Sequence, residues 1–202
     1  MRLIDQLHAQ TVTFHADADE DALQLLGPAS AHDYQRFLTR RFGFVAPLEH
    51  MVVGIDGIEH YVDVRRFTKH ELLRRDLMSF RMTAAEVDQL PRCPLPVLTA
   101  PEEALGWAYV IERSTLGHSN LFHHLASIIP GEVAFSSSYL KCYFGALGEM
   151  WRGFGHALEV FSSTPSRSMR VLQGARGAFR TYRTWRHLEK ERERAVAESR
   201  FA

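Results

Sequence analysis

Apolar residues recur at intervals of three and four along almost the whole chain. Tyr34, Phe37, Leu38, Phe42 and Val45 follow this rhythm, as do Leu172, Ala175, Phe179, Tyr182 and Trp185. A period near 3.6 lines one face of a helix, whereas a strand would need strict alternation. The only stretch that alternates is Ile58–Val64, and it is short. Helix starts are written into the sequence as well. Ser30 with Asp33, Thr68 with Glu71, Thr83 with Glu86 and Thr99 with Glu102 each fit the capping box, in which a hydroxyl and a carboxylate three residues apart satisfy each other's orphan backbone N–H groups. Pro101 then falls in a first turn, where its missing N–H costs little. These signals predict an all-α, multihelical fold. Its helices run to about Leu26, from Ser30 to about Val53, near 68–80 and 83–90, over 101–128 with an interruption, near 138–161, and near 165–198.

A chain of 202 residues with 46% hydrophobic content can bury one sizeable core, and no linker or low-complexity run divides it, so residues 1–202 read as a single domain. Twenty-four basic residues balance 24 acidic ones, which argues against nucleic acid as a partner. The N-terminus lacks the apolar core of a signal peptide. No stretch approaches the roughly 18 uninterrupted apolar residues of a membrane span. The chain therefore reads as cytoplasmic, without membrane partners, and Cys93 and Cys142 are expected to stay reduced.

Eleven histidines raise the question of chemistry. His32, His50, His60, His70 and His187 lie among charges or near helix ends and read as solvated or satisfied by neighbours. His15 follows Phe14 and precedes Asp17, Asp19, Glu20 and Asp21, so a carboxylate stands ready to fix its tautomer, as metal-ligating imidazoles require. The stretch "GWAYVIERSTLGHSNLFHHL", Gly106–Leu125, begins as an apolar helix, softens at Ser114–Gly117, and resumes at His118. Glycine and small hydroxyl residues sacrifice helix propensity and are tolerated where a backbone bends or approaches something closely, whether a cofactor or another helix.

The segment "YVIERSTLGHS", Tyr109–Ser119, resembles the distal-helix motif of the bacterial, phytochrome-associated branch of haem oxygenases, approximately Y-V-L-E-G-S-T-L-G-G. "YFGALGEMWRGF", Tyr143–Phe154, and "ARGAFRTYRTW", Ala175–Trp185, resemble two further segments of that branch in the same order. The resemblance implies a haem oxygenase-like bundle with His15 as the proximal iron ligand, Asp19 one turn later as the usual acidic residue, and His8 where relatives often carry a basic one. It implies a haem-propionate contact at Arg152, and a small, hydrated distal surface at Ser114, Thr115 and Gly117. Arg113 and His118 replace distal glycines; either side chain, if turned toward the haem, would fill the space for O₂ and water, and the expectation is that Arg113 swings aside to bind a propionate and that His118 either faces outward or binds the haem iron as a sixth ligand. The implied reaction opens haem with O₂ to biliverdin, carbon monoxide and iron. Its electrons come from a reductase or ferredoxin, and a bacteriophytochrome is the product's possible destination. Two other readings remain: a haem sensor or carrier without turnover, and a non-haem metal protein using Glu112, His118, His123, His124 or His156.

Overall fold

The computed structural model describes residues 2–98 and 100–199. Among the described residues nine α-helices follow in order: α1 Leu3–Gln24, α2 Ala31–Val53, α3 Lys69–Ser79, α4 Ala84–Asp88, α5 Pro101–Ser114, α6 His118–Ile128, α7 Pro130–Phe135, α8 Leu147–Phe161 and α9 Pro165–Ser199. No strand occurs among the described residues. Ile58–Val64 forms parts of two 3₁₀ turns instead, with Ile58 sealed into the core and Gly57 taking the left-handed φ of +81° that starts the first.

The capping boxes at Ser30 and Thr83 form with both hydrogen bonds in place. The one expected at Thr68 does not. The first amides of α3, from Lys69 and His70, donate to the carboxylate of Glu49 at 3.0 and 2.8 Å, so a buried side chain of α2 caps α3 from across the fold. The box expected at Thr99 falls outside the described residues, although Pro101 opens α5 as anticipated. The helix expected from 138 begins only at Leu147, because the preceding residues wind through turns that include Gly145 at φ +79°. The short helix α7 was not anticipated.

The buried side chains form one cluster, to which α5 and α9 both contribute. These two approach backbone to backbone: a Cβ at Gly106 would strike Val171 and Ala175, and one at Gly174 would strike Glu103. Pro47, inside α2, has no N–H to offer the Gly43 carbonyl; Cys93 N–H takes that acceptor at 2.8 Å, which fastens the extended 91–98 segment to α2. Cys93 thus packs in the core, where burial pushes its thiol up to about 12. At one end, Asp21 of α1 accepts from Arg40 of α2 at 2.7 Å and from Arg186 of α9 at 3.0 Å, joining three helices through buried charge.

Candidate functional site

The inner face of α1 carries Leu3, Leu7, Thr11, His15 and Ala18, all buried. The His15 ring lies 5.6 Å from Phe179 of α9 and 5.1 Å from His8, which is itself exposed. Its Nε2 is 2.9 Å from Thr11 Oγ1, whose hydroxyl donates to the Leu7 carbonyl at 2.6 Å. A Thr11 hydroxyl that donates to Leu7 accepts from Nε2–H, and in that tautomer the Nδ1 lone pair is free. Burial, then the nearby Arg113 and His8 charges, lower the His15 pKa to about 4, against a smaller opposing pull from Asp19. His15 is therefore a neutral imidazole around pH 7, the state a metal ligand requires.

None of the carboxylates expected to hold the ring does so. The Asp17 carboxylate faces Arg183, Glu20 and Asp21 face Arg186 and Lys190, and Asp19 is taken by Arg113. The ring's partner is one turn earlier, not later. A hydroxyl at i−4 on the histidine's own helix face was the signal to read.

The softened stretch stays helical in hand. Ser114 and Thr115 donate their hydroxyls to the Ile111 and Glu112 carbonyls, each at 2.7 Å, and Thr115–Gly117 tightens into a 3₁₀ turn before α6. Gly117 has ordinary right-handed angles, is exposed, and a Cβ there would meet nothing within 4 Å. No neighbouring helix presses on it, so close packing is not its purpose.

Residues 113 and 117, four apart, share one helix face. From that face Arg113 reaches α1 and donates to both oxygens of Asp19, at 3.0 and 2.9 Å. His118 points elsewhere. Its ring is buried 4.5 Å from Tyr139, with Nδ1 3.7 Å from Cys142 Sγ, and burial followed by the Arg41 and Lys69 charges lowers its pKa to about 3. A cavity of about 400 Å³ opens on this second side, lined by Thr115, His118, Cys142, Tyr143, Gly145 and Gly148 among others. Arg152 lies on the exposed side of α8, beside Gly148, while its neighbour Trp151 packs 6.1 Å from Tyr109.

Behind α5 lies a charge cluster around Glu112 that no spacing in the sequence announces. Its carboxylate accepts from Lys69 Nζ at 2.8 Å and from the Tyr143 hydroxyl at 3.0 Å, with Arg66 at 3.2 Å, and all three charged groups are buried. Glu112 is thus fully committed. His124 is bonded to the Gly27 carbonyl, His123 and His156 are exposed, and among the described residues no three His, Cys, Asp or Glu side chains converge as a metal site would require.

The heme oxygenase family model matches residues 1–187. This chain belongs to the haem oxygenase family. Among solved structures it is similar to the NO- and CO-bound heme oxygenase from Neisseria meningitidis: 22% identity, a TM-score of 0.72, 94% of this chain and 92% of that one covered. At that identity the likeness establishes the shared fold. No curated protein matches the sequence. No helix among the described residues is long and apolar enough to cross a membrane.

A haem-binding fold needs an iron ligand on one helix and a close, unobstructed surface on the other. A buried neutral His15 and the open space at Gly117 fit those two needs. Arg113 reaches from α5 to the histidine's helix, where it pairs with Asp19.

Proposed function

We propose that this chain binds haem through His15, against the Arg113 and Gly117 face of the distal helix, and opens it with O₂ to biliverdin, carbon monoxide and iron. The observation that carries this reading is the buried, neutral His15 imidazole with one nitrogen lone pair free of any protein donor. Haem supplies the iron at which O₂ is reduced and the macrocycle edge that is oxidised; the chain supplies position and proton control. Thr11 holds the His15 ring in one tautomer. Gly117 keeps the distal surface free of side chain. Ser114 spends its proton on Ile111 and so presents lone pairs, which orient water as an acceptor. Released from Asp19, the Arg113 guanidinium suits a haem propionate, and Arg152 offers a second at the exposed rim. Electrons come from an external reductase or ferredoxin, and the likeness of Tyr143–Phe154 to the phytochrome-associated branch points to a bacteriophytochrome as the receiver of the product.

Titrating the purified protein with haemin and then adding ascorbate or a reductase under air tests this: a saturable Soret band followed by a bilin spectrum is expected, and no bilin would overturn it. The Arg113–Asp19 pair favours a second reading, a haem sensor or carrier, for which the Soret band would form and persist under reductant.

A further inference from the structure

From Val160 to Leu188 the chain carries six arginines and no aspartate or glutamate, in a molecule whose 24 basic and 24 acidic residues balance overall. Two of the six are spent on acids elsewhere in the fold: Arg186 on Glu20 and Asp21, and Arg167 on Glu102 at 3.5 Å. Arg176, Arg180 and Arg183 recur at intervals of four and three, so they share one face of α9. Arg180 is exposed, and its side chain has no hydrogen-bonding or ionic partner among the described residues. Arg176 meets only the neutral Gln10, and Arg183 has a loose pair with Asp17 at 3.8 Å. A positive stripe about 10 Å long therefore stands on the surface largely uncompensated.

Gln10 and Asp17 lie on α1 to either side of His15, so the stripe runs along the stretch of helix that carries the proposed iron ligand. Phe179, next to Arg180 in α9, is buried with its ring 5.6 Å from that of His15. The residues around the cations on this side of α9 are Gln173, Gly177, Thr181 and Thr184, which give a lipid surface no apolar side chain to bury. The zero net charge of the chain leaves no wider positive field to gather a nucleic acid.

We propose that the face formed by Arg176, Arg180 and Arg183 docks an acidic one-electron carrier protein, the external donor that the proposed reaction requires; this rests on the haem reading above. Complementary charge steers such a partner to one place on the surface and sets its association rate more than its final affinity. A carrier held here stands beside the helix that bears His15, so its electrons need not cross the bundle. A small reductant such as ascorbate needs no docking and bypasses the stripe.

An acidic iron–sulfur ferredoxin is the probe, titrated calorimetrically into the haem-free and the haemin-loaded protein at low and high salt. Saturable binding that weakens steeply with salt is expected. R176E/R180E should lower the affinity on the order of tenfold, whereas R176K/R180K, which keeps the charge, should hold it within about threefold. Far-ultraviolet circular dichroism of both variants should match the parent. With ferredoxin and its reductase as the electron source, R176E/R180E should raise the KM for ferredoxin in bilin formation and leave both kcat and the ascorbate-driven rate unchanged. Equal ferredoxin affinity for the parent and R176E/R180E overturns the docking face, as does stripe-dependent binding to phosphatidylglycerol vesicles in place of ferredoxin. If the parent yields no bilin with ascorbate, the haem reading fails, while the affinities still decide the docking face.

Discussion

Arg113 and Asp19 join the distal helix to the histidine's helix by two parallel hydrogen bonds of 3.0 and 2.9 Å. The pair sits one turn beyond His15 on α1, where it spans the gap in which we place the haem. Partial exposure weakens it by solvent screening, so its net contribution is about 1 kcal/mol. Asp19→Asn keeps the shape and removes the attraction, leaving Arg113 free to turn to a propionate. Haemin affinity in a Soret titration should rise about fivefold. A fall would mean that the pair belongs to the haem-bound pocket.

His15→Ala should leave the helical content intact, because Thr11 keeps its bond to Leu7 and loses only a neighbour. Loss of the iron ligand should raise the haemin Kd by more than the roughly 10–100-fold that follows removal of a metal site's supporting residues. Far-ultraviolet circular dichroism and the Soret titration check the two halves, and an unchanged Soret band would remove His15 from the iron.

Much of this was legible in the sequence, and the exceptions have a physical pattern. Long helices such as α1, α2 and α9 declare themselves because one face repeats over many turns. The start of α8 did not, because Gly145 adopts a left-handed conformation that composition does not reveal. The sequence names candidate residues one by one but not their pairings. Asp19 takes Arg113 rather than His15, and Thr68 yields its cap to Glu49, which is nineteen positions earlier in the chain. Partnerships between helices depend on how the bundle closes, and periodicity carries no record of that.

Two buried histidines set an acid limit on stability. Both are neutral in the fold, with His15 at about 4 and His118 at about 3, while in the unfolded chain each titrates near 6.5. Between pH 6.5 and about 4 the unfolded state binds up to two more protons, so stability is full above this window and falls as pH drops through it. The slope approaches about 2.7 kcal/mol per pH unit where both differ. Urea midpoints at pH 7.5, 6 and 5 should trace the fall, and His15→Asn should halve it. A flat profile would place both rings in contact with water.

The Glu112 cluster predicts an asymmetric response. Glu112→Gln leaves Lys69 and Arg66 buried together without the carboxylate that pairs with both and should cost roughly 3–5 kcal/mol. Lys69→Met leaves Glu112 with Arg66 and Tyr143 and should cost distinctly less. Urea unfolding of the two variants decides, and equal losses would show that Arg66 does not serve as the second partner.

The two replaced distal glycines should behave differently, because the structure places their side chains on different sides of the helix. Arg113 shares the Gly117 face, whereas His118 lies on Tyr139. Arg113→Gly should therefore open the distal surface by itself, giving faster bilin formation under ascorbate at a cost of roughly 1 kcal/mol in helix propensity plus the Asp19 pair. His118→Gly removes a buried ring and adds the same propensity penalty, so it should cost roughly 2–4 kcal/mol in stability. It should leave the haem's coordination spectrum where it was. The spectra of the two single variants, recorded with haemin before reductant, separate the roles. If His118→Gly alone turns a six-coordinate low-spin haem into a five-coordinate or water-ligated one, the ring leaves Tyr139 for the iron on binding, and the assignment of the distal face to Arg113 alone fails.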